Sequence, residues 1–87
     1  LPPRTIVNKG GVTVEHYYRG NDHPPPHMHV KGGGPSTRIG RNGKPLPGDP
    51  ELSPQQRGVV MDNLSRIRSA ADKIRRWLRF MARPNSE

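Results

Sequence analysis

The sequence predicts an α+β domain in which a small antiparallel sheet packs on one long C-terminal amphipathic helix. Three observations predict it. Short β-branched runs separated by Gly-rich turns fill the first half of the chain. From Ser53 the apolar spacing changes to three- and four-residue steps. The chain has 87 residues, enough for one core and no second domain. We therefore read 1–87 as a single domain, with 1–3 a tail, 4–46 β-rich and 53–82 the helix.

Arg4-Thr5-Ile6-Val7 and Val12-Thr13-Val14-Glu15-His16-Tyr17-Tyr18 flank the turn-forming Asn8-Lys9-Gly10-Gly11, which predicts an opening hairpin. Period-two alternation puts Val12, Val14, His16 and Tyr18 on the buried face and Thr13, Glu15, Tyr17 and Arg19 on the other. Gly20-Asn21-Asp22 is a turn. Pro24-Pro25-Pro26 has fixed φ angles and predicts a stiff polyproline II spacer. His27 to Lys31 predicts a short strand with Met28 and Val30 inward and His27, His29 and Lys31 together outward. Gly32-Gly33-Gly34-Pro35 ends it as a flexible turn. Thr37 to Gly40 and Lys44 to Leu46 flank Arg41-Asn42-Gly43, whose Asn-Gly pair predicts a type I′ turn and a second hairpin.

Ser53 is suited to cap the helix and Pro54 to its first position. Val60, Leu64, Ile67, Ala71, Ile74, Leu78 and Met81 then form the stripe that covers the sheet, and the helix ends before Pro84.

The function classes follow from charge and composition. With 15 Lys and Arg against 7 acidic residues, the chain carries a formal charge of +8, which attracts polyanions or an acidic protein. Arg57, Arg66, Arg68, Lys73, Arg75, Arg76, Arg79 and Arg83 decorate the helix against Asp62 and Asp72 alone. Arg41, Lys44, Arg68, Arg75, Arg76 and Arg79 are the residues we expect on nucleic-acid phosphates. The chain has no Cys, which excludes a disulfide framework and thiolate zinc. No apolar run reaches the roughly 20 residues that span a bilayer, so no membrane partner is expected. A domain of 87 residues is too small for a large enclosed cavity, and its 10 Gly and 11 Pro make much of it turns and loops, so chemistry is expected on an open surface.

The candidate centre is HPPPHMHV, residues 23–30. Outward imidazoles at His27 and His29 can flank one phosphodiester, one taking a proton from the attacking hydroxyl and the other giving one to the leaving oxygen. Lys31 and Arg38 are placed to stabilise charge on the phosphorane, with Arg41 nearby. The same atoms allow a divalent metal, Zn or Mg, held by His23, His27 and His29 with Asp22. A third reading makes His23 and His27 the ends of a proline turn. His16 reads as a semi-buried residue that could orient the cluster. Ser36 and Thr37 read as turn caps.

The run Asp22-His23-Pro24-Pro25-Pro26-His27-Met28-His29-Val30 resembles the D-H-x-P-P-H-x-H-V hallmark of an uncharacterised family of small bacterial proteins. Members are often encoded in toxin–antitoxin-like pairs, and the order of hairpin, motif, strands, Gly-Asp-Pro turn and helix is similar over about residues 5–82. This chain is more basic and its helix richer in Arg. The basic character, and an opening at Leu1-Pro2-Pro3 rather than Met, also resemble the C-terminal toxin domains of Rhs-type polymorphic toxins. Those tips are short, variable and frequently nucleases, released from a shell protein by cleavage near its end.

The resemblances imply a secreted antibacterial effector acting on nucleic acid, RNA slightly ahead of DNA, in the cytoplasm of a target bacterium. They imply as partners a parent Rhs-type shell and an acidic immunity protein that the charge would steer. The alternatives are a metal-dependent DNase, and a non-enzymatic module that occupies nucleic acid or an acidic protein without cutting it.

Overall fold

The computed structural model describes residues 4–16 and 26–81. Four strands, β1 (Arg4–Lys9), β2 (Val12–His16), β3 (Met28–Lys31) and β4 (Thr37–Ile39), form one antiparallel sheet in the order β1-β2-β3-β4. Two helices, α1 (Pro54–Asp62) and α2 (Leu64–Met81), follow. This is the predicted α+β architecture, apart from a break in the helix.

Each strand forms where side-chain alternation allows one dry face. Val7, Val12, Val14, Met28, Val30 and Ile39 are buried and share a core with Leu52, Val60, Ile67, Ala71 and Ile74. A fully buried aliphatic side chain of this kind contributes roughly 1.5–3 kcal/mol, so this layer holds the domain together. Leu64 and Leu78 of the expected stripe are half-buried at its margins. The helices therefore cover one sheet face, and the other face carries Thr13, Glu15, His29 and Arg38.

The type I′ turn forms at the first hairpin and not at Asn42-Gly43, where it is expected. Gly10 and Gly11 have φ of 59° and 81°, the pair of positive values a type I′ turn requires. At Asn42-Gly43 only Gly43 is positive, at 79°. Gly43 N donates to Gly40 O and Gly40 N to Lys44 O, which makes Arg41-Asn42-Gly43 a three-residue loop closed by a left-handed glycine. The expected second hairpin is reduced to the single bridge Ile39↔Pro45, because Pro45 has no N–H to extend a ladder.

The helix begins as predicted. Ser53 accepts from Gln56 N, Gln56 accepts from Ser53 N, and Pro54 opens α1. It does not run unbroken. Asn63 sits at φ −121°, ψ 25°, and its side chain donates to Val59 O, taking a carbonyl that the helix would otherwise use.

The glycine run is not the flexible turn its composition predicts. Gln56 is fully buried and donates to Gly32 O and Pro35 O, while Ser53 Oγ donates to Gly33 O. A Cβ on Gly32 would run into the Gly11 carbonyl oxygen, and one on Gly34 would meet Ser53 and Gln56 at 2.8 Å. The glycines let two turns and a helix N-terminus close on one another.

Candidate active site

Strand pairing builds the site on the outer face of the sheet. Glu15 lies opposite His29, which lies opposite Arg38, and Thr13 lies opposite Lys31. Met28 and Val30 are fully buried beneath, so alternation turns His29 and Lys31 outward as the sequence predicts. His27, just before the strand, sets its ring 5.3 Å from that of His29 between centroids, with the planes at 66°.

Two ion pairs frame the rings. Lys31 Nζ is 3.1 Å from Glu15 Oε1. Arg38 donates through Nε and Nη2 to the two oxygens of Asp49, at 3.1 and 2.7 Å, and its backbone N–H adds a third bond at 2.8 Å. Those hydrogen bonds hold the Asp49 carboxyl down at about 2. Two of the five guanidinium N–H groups are thus committed to Asp49. Arg38 fixes the loop after β4 against the site and keeps its remaining donors for a ligand.

The His29 imidazole titrates below its ordinary value. Partial burial is the main cause, reinforced by His27, Lys31 and Arg38, and Glu15 alone pulls upward. His29 is therefore neutral at neutral pH, the form a general base needs. A charge on His27 disfavours one on His29. Ser36 lines a small open hollow beside His29, Lys31 and Arg38. Thr37 is buried instead and donates to Pro50 O at 2.6 Å.

The chain matches no family model, no curated protein and no solved structure. The site must be read from its own residues.

The structure brings His27, His29, Lys31 and Arg38 together and separates them from the other expected contacts. Arg41 does not join the histidines. It turns to α2 and bonds Asp72 at 2.9 and 3.4 Å. There Arg41, Arg75, Arg76 and Arg79 line an open cavity around Asp72, whose carboxyl the Arg41 bond holds below its usual range. Lys44 and Arg68 are exposed. Because α2 packs on the inner sheet face, its exposed arginines lie across the core from the histidine pair. His16 is 2% exposed on the inner face, the opposite side of the sheet from His29.

The proposed metal ligands His23 and Asp22 lie outside the described residues. Among the described residues no group of three or more His, Asp or Glu converges on one point, and His27 with His29 supplies two imidazoles. No helix among them is long and apolar enough to cross a membrane. Sequence reasoning missed Asp49 and the pairing role of Glu15. Alternation puts Glu15 on the outer face, but nothing local in Gly48-Asp49-Pro50 says that this turn folds back on Arg38.

Proposed function

We propose that this domain is a nuclease of the antibacterial toxin type, cutting RNA by histidine acid–base catalysis. One observation carries the reading: two imidazoles 5.3 Å apart on an open sheet face, one of them held neutral, between two cations. RNA supplies its own nucleophile, so a base and an acid are enough. His29 takes the proton of the 2′-hydroxyl as its oxygen attacks phosphorus. The bond from phosphorus to the 5′-oxygen breaks, and His27 gives that oxygen its proton. The products are a 2′,3′-cyclic phosphate and a free 5′-hydroxyl. Lys31 and the uncommitted N–H groups of Arg38 face the charge on the phosphorane.

The motif resemblance and the basic character support a secreted effector of the Rhs-type toxin kind acting in a target cell's cytoplasm. The net charge of +8 suits an acidic immunity protein as its inhibitor.

The test is to incubate wild type and His27→Ala/His29→Ala with total RNA and plasmid DNA, each in Mg²⁺, Zn²⁺ or EDTA. The expected result is RNA cut in EDTA by wild type alone. Cutting of DNA that EDTA abolishes would favour the metal reading, with His23 and Asp22 as added ligands. Absence of cutting in every condition, with wild type still toxic to cells, would overturn the nuclease reading.

A second reading has its own observation. The arginines of α2 lie away from the histidines, so a module that only occupies nucleic acid or an acidic protein would use that side. It predicts that His27→Ala keeps toxicity and that charge reversal at Arg75 and Arg76 loses it.

A further inference from the structure

A second cavity, of about 370 Å³, opens between the edge strand β1 and α2. Arg4, Arg66 and Lys73 line it with the hydroxyls of Thr5, Ser65 and Ser69, and none of its described lining residues is acidic. His16, almost fully buried, forms its floor. The space exists because α2 presents Ser65, Ser69 and Ala70 where β1 bulges between Thr5 and Val7. Three cations and three hydroxyls around one open cavity are what phosphate oxygens require.

The same helix flank continues past the cavity. Arg66, Ser69, Lys73, Trp77 and Phe80 follow one another at three- and four-residue steps, beside the buried stripe. Phe80 is 63% exposed and presents an aromatic face to solvent on this flank. It stands seven residues beyond Lys73, about 10 Å along the helix at 1.5 Å per residue. Across the sheet, Thr5 pairs with Glu15 and Glu15 with His29, so the cavity opens at the β1 edge, two strands from the site and on the side that α2 covers. From β3 to β1 is two strand spacings, about 10 Å.

We propose that this flank binds single-stranded nucleic acid, with a phosphate in the cavity and a base stacked on Phe80. The inference rests on the nuclease reading for the identity of the strand, and on its own residues for the site. An acidic peptide would use the cations and leave Phe80 idle. A duplex, whose bases are already stacked, would do the same.

The chain has a single tryptophan, Trp77, so its fluorescence reports this flank alone. The titration uses His27→Ala/His29→Ala, which keeps the strand intact, and a single-stranded RNA of about eight nucleotides. A saturable change in Trp77 emission is expected. Phe80→Ala should weaken binding roughly 5- to 100-fold and Phe80→Tyr should restore it. Arg66→Ala/Lys73→Ala should lower the salt slope by about 0.7 for each phosphate that is no longer neutralised. All three positions are exposed, and circular dichroism confirms that the variants fold.

No emission change, equal affinity in the Arg66/Lys73 and Phe80 variants, or tighter binding of an RNA duplex or polyglutamate would overturn the proposal. If the flank binds the strand but wild type cuts nothing, the nuclease reading fails and this site stands. If wild type cuts RNA and the flank variants cut with unchanged KM, the reverse holds.

Discussion

The outer face of the sheet and the β1 flank of α2 use cations in opposite ways. Around the histidines each cation has a carboxylate, Lys31 with Glu15 and Arg38 with Asp49. In the flank cavity Arg4, Arg66 and Lys73 meet no acid among the described lining residues. Paired charge orients: it pins a loop and fixes side-chain directions. Charge without an acid beside it attracts, and leaves its hydrogen-bonding capacity to whatever arrives. The cations beside the histidines cancel against their carboxylates, so the net charge of +8 is carried by others, those of the flank among them.

The largest effect that would test this division is on catalysis. His29→Ala should lower RNA cleavage on the order of 10²–10⁴-fold and leave the Trp77 titration unchanged. If His29→Ala weakens strand binding as much as it weakens cleavage, the two regions are one site and the comparison fails.

A stability change should strike both regions alike. Gln56→Ala removes the donor to Gly32 O and Pro35 O and half of the capping box, all from a fully buried position. Leaving such groups without partners costs about 2–3 kcal/mol. The urea midpoint should fall accordingly, with KM and kcat unchanged where the protein is still folded. Next in size, Arg66→Ala/Lys73→Ala should raise KM for RNA roughly tenfold, from the loss of charge-assisted bonds, with kcat held. A fall in kcat instead would place these cations at the reacting phosphate.

The fold was legible wherever the signal is periodic. Alternation located Val12, Val14, Met28 and Val30 inside and His29 and Lys31 outside, and the Ser53-Pro54 cap marked where the helix begins. What escaped depends on contacts distant in sequence. Asp49 reaches Arg38 eleven residues away, Gln56 reaches Gly32 twenty-four residues away, and Arg41 chooses Asp72 over the histidines. The β1 cavity escaped for another reason: it comes from a bulge and small helix residues facing each other, and Arg66 and Lys73 read in sequence as part of a uniformly basic helix. The break at Asn63 lies inside an unbroken apolar stripe, and it is the bond of its side chain to Val59 O that marks it.

The smallest predicted effect is the most discriminating for the paired side of the comparison. As a base His29 must be neutral, so cleavage should rise with pH through its titration, at a midpoint below the ordinary 6.5. Glu15 alone raises that midpoint and Lys31 is among the groups that lower it. Glu15→Gln should therefore move the acid limb to lower pH, and Lys31→Gln should move it higher, by a fraction of a unit for exposed or half-buried neighbours. Stability follows a related sign. With its folded value depressed, His29 favours unfolding as pH falls below 6.5, because the unfolded chain takes up the proton first. Asp49, held at about 2, contributes stability above the usual carboxylate range that is lost as pH falls through its folded value. Opposite shifts of the kinetic limb in the Glu15 and Lys31 variants would tie the base to His29. Shifts of the same sign, or none, would mean that the ion pair only holds the strand and that another group takes the proton.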